Sequence, residues 1–169
     1  IKSMNVHLDK EGVARWSDYG LLQKLIRAKA EIGGGAASDT SPNGYTPPEV
    51  VSNGKMITYK GDVYSFGVLL LELITGKSPT KLFVEEGGVR LPEWVESCGR
   101  EVESVDPWIR EKLAYHNDND NDNKNDDVLY DEVLGLLRIA LPCVSPSPDK
   151  RPHMVEIVKH IQDLIGNHG

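Results

Sequence analysis

Three side chains near the start of this 169-residue sequence could do chemistry together: Lys2, Asn5 and Asp18, an ammonium, an amide and a carboxylate. Oxygen donors of the last two kinds suit a hard divalent cation, and a lysine beside them can offset anionic charge. They stand at the two ends of what reads as a short hairpin. On type and spacing alone they also fit a plainer description, polar surface residues flanking a turn.

Other candidates are weaker. Asp118, Asp120 and Asp122 alternate as in a calcium loop, but a loop started at Asp118 requires glycine where Asn123 stands and a bidentate glutamate where Leu129 stands. Cys98 and Cys143 have neither metal nor redox spacing and read as free thiols in a reducing compartment, small residues of the core. His7 reads as a solvated or core histidine rather than a ligand. Ser38, Thr40 and Ser41 could accept phosphate, which orders a segment where an arginine receives it.

The element that must position any such site is Lys60 to Gly76, KGDVYSFGVLLLELITG. Val63, Phe66, Val68, Leu69, Leu70, Leu73 and Ile74 cover more than one helical face, which places the helix inside a protein or a membrane. The run is shorter than the roughly 20 residues a bilayer requires and carries Ser65 and Glu72, so a buried core helix is expected. Asp62 in its first turn suits the helix dipole, and Gly76 suits a left-handed cap.

Around it, Val6 to Leu8 and Val13 to Trp16 alternate about the turn residues Asp9 to Gly12, as a hairpin does. Leu21 to Lys29 permits a helix, and Gly33 to Pro42 is a mobile loop. Pro47 to Val51 starts a short helix, Lys77 to Gly88 reads as a loop, Leu91 to Val95 opens another helix, and Val105 to Ile109 is a turn burying Trp108. His116 to Asp127, HNDNDNDNKNDD, cannot offset its ordering entropy and is expected to be a disordered insertion. Val128 to Val144 is helical and ended by Pro146 and Pro148. The last helix begins near Pro152 and keeps Met154, Ile157, Val158, Ile161, Leu164 and Ile165 on one broad face. The expected class is mainly α with one short β-hairpin.

Length and a 39% hydrophobic content suit one domain. A formal charge of −7 without a basic cluster disfavours nucleic acid and anionic lipid, and no apolar run is long enough to span a membrane. The first residue is Ile1, and Lys2 to Asp9 read like the middle of a structured segment, so a fragment is expected.

The order of motifs adds more. IKSMN, a strand pair, SDYG, a flexible loop, GYTPPE, KGDVYSFGVLLLELITGK, LPEWV, LPCV and DKRPHM, in that order, resemble the protein kinase family, specifically plant receptor-like kinases of the leucine-rich-repeat type. The resemblance implies the C-terminal helical lobe of a kinase-like α+β fold over residues 1–166, with an activation-loop-like segment at 21–46 and an acidic insertion at 116–127. It sets Lys2 and Asn5 on the lysine and asparagine of the catalytic loop, His-Arg-Asp-x-Lys-x-x-Asn, whose aspartate would precede Ile1. Asp18-Tyr19-Gly20 is similar to Asp-Phe-Gly. Lys2 would then act beside the nucleophile, while Asn5 and Asp18 would hold Mg²⁺ on ATP. Glu49 of Pro47-Pro48-Glu49 and Arg151 of DKRPHM would form a structural ion pair, and Asp62 would hold the catalytic loop.

Two departures bear on activity. Receptor-like kinases carry Gly-Thr-x-Gly-Tyr-x-Ala-Pro-Glu before the central helix, and here Pro42 stands at the threonine, without hydroxyl or backbone donor. Trp16 stands where a smaller aliphatic residue is common, and extra volume beside a tight site typically costs about 1 to 3 kcal/mol. The Gly-rich loop, the lysine of the third strand and its helix glutamate do not occur here. Two readings follow. One is part of a Ser/Thr-type receptor-like kinase on the cytoplasmic side of the plasma membrane, using ATP and Mg²⁺ when whole and inactive as 169 residues. The other is a pseudokinase scaffold whose helical lobe binds protein partners such as co-receptor or substrate kinases.

Overall fold

The computed structural model describes residues 1–17, 44–53, 58–98 and 124–166. A 3₁₀ turn at Ser3–Asn5 leads into β1 (Val6–Leu8), which pairs antiparallel with β2 (Ala14–Trp16) so that Val6 faces Trp16 and Leu8 faces Ala14. Asp9 closes the hairpin by accepting from the Glu11 N–H at 3.1 Å, the Val13 N–H at 2.9 Å and Arg15 Nε at 2.7 Å. Those bonds, the Val13 one foremost, hold its carboxyl below the usual carboxylate range. The other described elements are helical: α1 (Pro48–Asn53), α2 (Tyr59–Thr75), α3 (Pro79–Glu85), α4 (Leu91–Ser97), α5 (Lys124–Cys143), a 3₁₀ turn at Pro148–Lys150, and α6 (Met154–Gly166).

Helix α2 is the centre. Thr58 caps its start by accepting from the Gly61 N–H at 3.2 Å, and Gly76 ends it at φ 65°, in the left-handed region where glycine carries no Cβ penalty. Val63, Val68, Leu71 and Ile74 are buried against Leu91 and Val95 of α4 and against Leu137, Ala140 and Cys143 of α5. The crossing of α2 over α5 is close because residue 67 is glycine: a Cβ there would lie 2.6 Å from Cys143 Cβ and 2.8 Å from Val144 Cγ1. Burial pushes the Cys143 thiol up to about 12, and Cys143 and the half-buried Cys98 are both free. Among the described residues no helix is long and apolar enough to cross a membrane.

Four expectations need correction. Lys77 to Gly88 contains α3, started by Ser78, whose hydroxyl accepts from the Lys81 N–H at 3.4 Å, and by Pro79 in the first turn. The helix expected over Val128 to Val144 begins at Lys124, so the end of the acidic tract is helical. A polar tract can form a first turn, since the first N–H groups of a helix have no internal acceptor in any case. That helix also ends at Cys143 with Pro142 inside it. Proline there denies the Arg138 carbonyl its helical donor, and Arg138 is exposed to water. Finally, the apolar faces are narrower than their residues suggest. Leu73 of α2 is 65% exposed, and on α6 only Ile157 is buried, with Ile161 and Leu164 packed at the edge of the core while Met154, Val158 and Ile165 face outward. The segments containing Leu21 to Lys29, Gly33 to Pro42 and Val105 to Ile109 lie outside the described residues.

Candidate functional site

The hairpin register does the first positioning. Asn5 lies just before β1 and Ser17 just after β2, so pairing Val6 with Trp16 sets these two residues side by side. Ser17 then donates twice to the Asn5 carbonyl, from its N–H at 2.8 Å and its hydroxyl at 3.2 Å, and shares a 3.0 Å bond with His7 Nε2. Asp18 is the next residue in the chain and lies outside the described residues. Lys2 and Asn5 sit at the two ends of the 3₁₀ turn, closed by the Asn5 N–H on the Lys2 carbonyl at 3.1 Å. Both are half-buried. Trp16, expected to crowd this corner, lies on a strand that is exposed throughout.

The turn is fastened to the central helix by a group sequence reasoning did not single out. Ser3 Oγ donates to Glu72 Oε1 at 3.2 Å and lies 3.0 Å from the Tyr45 hydroxyl, which itself donates to Glu72 Oε2. Tyr45 belongs to the segment before α1, so one carboxylate of α2 holds two remote stretches of chain. Burial first, and the Glu72 carboxylate second, push the Tyr45 phenol up to about 12. The sequence did carry a signal: Glu72 is a lone charge near the end of an apolar helix, and a charge in that setting is generally paired.

Tyr45 is held from its backbone as well, since Ser65 Oγ of α2 donates to its carbonyl at 3.0 Å. Gly44 before it has φ 76°, and a Cβ there would sit 2.6 Å from the Pro79 carbonyl oxygen. Glycine is required on both counts. Arg90 continues the fastening by donating to the Thr46 carbonyl at 3.3 Å.

Below this lies the pair of Glu49 and Arg151. The guanidinium meets the carboxylate as a fork, Nη1 on Oε1 and Nη2 on Oε2, each at 2.7 Å. It also donates to the carbonyls of Lys60 at 2.9 Å, Ser145 at 2.8 Å and Pro146 at 3.4 Å, and lies 5.0 Å from the centre of the Tyr64 ring. Arg151 is only 2% exposed. Lys60 Nζ returns to the Arg151 carbonyl, so the start of α2 and the Arg151 segment bond each other in both directions. Asp62, in the first turn of α2, is half-buried, and burial raises its carboxyl. Asp62 stands close to Ile1, at the start of the Lys2–Asn5 turn.

Among the described residues no three His, Cys, Asp or Glu side chains converge on a metal site. The arrangement consists of a short turn carrying Lys2 and Asn5, pinned to Ser17 on one side and to Glu72 on the other.

A family profile described as protein tyrosine and serine/threonine kinase matches residues 1–161. Two relatives from Arabidopsis thaliana are each 39% identical: a probable inactive receptor kinase, over 97% of this chain and 22% of its own length, and a probable leucine-rich repeat receptor-like protein kinase, over 98% and 22%. The pseudokinase domain of BIR2, described as an immune regulator of the RLK/Pelle family, superposes with a TM-score of 0.69 at 28% identity, covering 100% of this chain and 44% of that one. The kinase domain of maize SIRK1, solved with AMP-PNP, gives 0.63 at 27% identity, covering 98% and 50%. The chain thus spans about a fifth of the length of these curated relatives.

Proposed function

The chain belongs to the protein tyrosine and serine/threonine kinase family, and from that membership we propose that it is the helical lobe of a plant receptor-like kinase's cytoplasmic domain, contributing the metal side of a site for ATP and Mg²⁺. The observation that carries this reading is the pinning of the Asn5 backbone carbonyl to Ser17, because it brings the residue that bears the side-chain amide next to the residue that precedes Asp18. An amide and a carboxylate oxygen are the donors that Mg²⁺ prefers, so the residues fit the group. Bound there, Mg²⁺ would neutralise charge on the phosphates. Asn5 and Asp18 would hold the metal, Lys2 would offset charge beside the acceptor hydroxyl, and the Ser3–Glu72 bond would keep the turn in place. Glu49, Arg151 and Asp62 serve structure rather than chemistry. Residues 21–46 would act as the segment that presents the acceptor, and 116–127 as an acidic insertion.

A scaffold without transferase activity is the second reading, favoured by Pro42 in place of the family's threonine. There the lobe would bind partner proteins such as co-receptor kinases. One experiment separates the two: phosphate transfer from Mg-ATP by the full-length gene product, compared with Asn5→Ala and Asp18→Asn. The first reading expects transfer that falls by about 100-fold or more in either variant. No transfer by the parent protein, together with unaltered binding of a partner kinase domain, supports the scaffold. Transfer that survives both substitutions refutes the assigned metal ligands. The 169 residues alone are expected to transfer nothing, since positioning groups of the family are not among them.

A further inference from the structure

The end of the hairpin beside Asn5 is tied in an uneven way. Continuing the register that pairs Val6 with Trp16 sets Asn5 opposite Ser17, and a bonded pair in an antiparallel ladder exchanges two backbone bonds. The Ser17 N–H does donate to the Asn5 carbonyl at 2.8 Å, but the Asn5 N–H goes instead to the Lys2 carbonyl at 3.1 Å. A side chain supplies the second tie: the Ser17 hydroxyl donates to the same Asn5 carbonyl at 3.2 Å. That hydroxyl has one proton, and the carbonyl takes it. Toward His7 Nε2, 3.0 Å away, the hydroxyl is therefore the acceptor, which makes Nε2 the protonated nitrogen of the ring. The result is a directed chain, from His7 Nε2–H to Ser17 Oγ–H to the Asn5 carbonyl, in which each bond polarises the next. The imidazole also fixes the rotation of the hydroxyl, leaving its proton aimed at Asn5.

The geometry points to His7 as a positioning residue for the metal side of the proposed site, holding Ser17 on Asn5 so that the asparagine amide and the residue before Asp18 keep one register. His7 acts through Ser17 rather than on phosphate or metal. This rests on the reading of Asn5 and Asp18 as Mg²⁺ ligands, and it gives a role to a histidine that sequence reasoning left without one. Groups that orient the ligands of a metal typically govern about 10- to 100-fold of its affinity. His7 is exposed while Asn5 and Ser17 are half-buried, so a change at His7 reaches the pair without disturbing the helical core.

The test is Mn²⁺ binding to the full-length gene product in the presence of AMP-PNP, read from the loss of the free-ion EPR signal against the same mixture without protein. The Mg²⁺ dependence of phosphate transfer is measured alongside. Asn5→Ala, which removes a ligand, identifies the site in question. His7→Leu loses the donor and should weaken Mn²⁺ binding by about tenfold at an unchanged melting temperature, and raise the Mg²⁺ concentration for half-maximal transfer by a similar factor. Ser17→Ala should match it, and the double variant should be no weaker than either single one, because both break the same chain of bonds. His7→Gln, whose amide nitrogen replaces Nε2 as donor, should bind Mn²⁺ as the parent does. Parent affinity in His7→Leu, with binding weakened in Asn5→Ala, overturns the positioning role and leaves the metal ligands standing. Equal weakening in His7→Gln and His7→Leu overturns it as well, since the shape of the ring and not its donor would then matter. So does a weakening that a lower melting temperature accompanies, which marks a general loss of structure. Mn²⁺ binding that is the same in the parent and in Asn5→Ala refutes the metal reading itself, and this inference with it.

Discussion

Breaking the pair of Glu49 and Arg151 should destabilise the lobe more than any other polar change described. Arg151 donates five hydrogen bonds: two to Glu49 and one each to the carbonyls of Lys60, Ser145 and Pro146. Its side chain is fully buried, and that of Glu49 is 11% exposed. In Glu49→Ala the guanidinium keeps its three carbonyls but loses its only anion in the contact, and an uncompensated buried charge costs about 3 to 5 kcal/mol. Domains are held by about 5 to 15 kcal/mol in all. With a urea m-value of about 2 kcal/mol/M, a loss of about 4 kcal/mol lowers the unfolding midpoint by about 2 M. Arg151→Ala should be at least as harmful, because it strands the carboxylate and three carbonyls and leaves a cavity. Glu49→Gln keeps one acceptor and should fall between. The measurement is equilibrium urea unfolding followed by tryptophan fluorescence. A midpoint within about 0.3 M of the parent in Glu49→Ala, at unchanged m, would refute the assignment of this pair as a buried fastening.

Three further outcomes are expected. Because folding raises the Tyr45 phenol from its ordinary 10 to about 12, its contribution to stability is full below pH 10 and is lost as the pH climbs to about 12; Tyr45→Phe should unfold less steeply across that window in a pH titration of the urea midpoint, and an identical slope would contradict the raising of the phenol by burial and by Glu72. Gly67→Ala should cost about 1 to 3 kcal/mol through overpacking of α2 on α5, read as a lower melting temperature, and a neutral result would show that the helices can separate freely. Gly44→Ala combines a positive φ with a clash on the Pro79 carbonyl and should cost at least the roughly 1 to 2 kcal/mol of the left-handed conformation alone, in the same assay.

What could be read beforehand divides by range. The central helix and the hairpin were legible because their signals are local: the apolar run closed by Gly76, and alternation about Asp9 to Gly12. Helix α3 was hidden within a short, mixed stretch, although Ser78-Pro79 is a start signal that outweighs composition. Pro146 and Pro148 looked like the stop of α5, whereas the helix ends at Cys143 with Pro142 inside its last turn. Width of an apolar face was overestimated for α2 and α6, since periodicity shows which residues share a face but not how far a neighbour reaches around it. Contacts between remote residues are not written in local pattern. Glu49 and Arg151 were brought together only by family resemblance, and the Ser3, Tyr45 and Glu72 fastening was missed because its members are 42 and 69 residues from Ser3.

The same separation has a consequence for how the chain can vary in length. Glu49 and Arg151 stand 102 residues apart, and the asparagine- and aspartate-rich run from His116 lies between them. Closing a flexible loop costs entropy that grows only with the logarithm of its length, so doubling the enclosed chain adds only about 0.6 kcal/mol. Set against a contact of several kcal/mol, that increment is minor. The fork of Glu49 and Arg151 thus acts as a clasp that leaves that polar run a place where residues can be gained or lost while the lobe still closes.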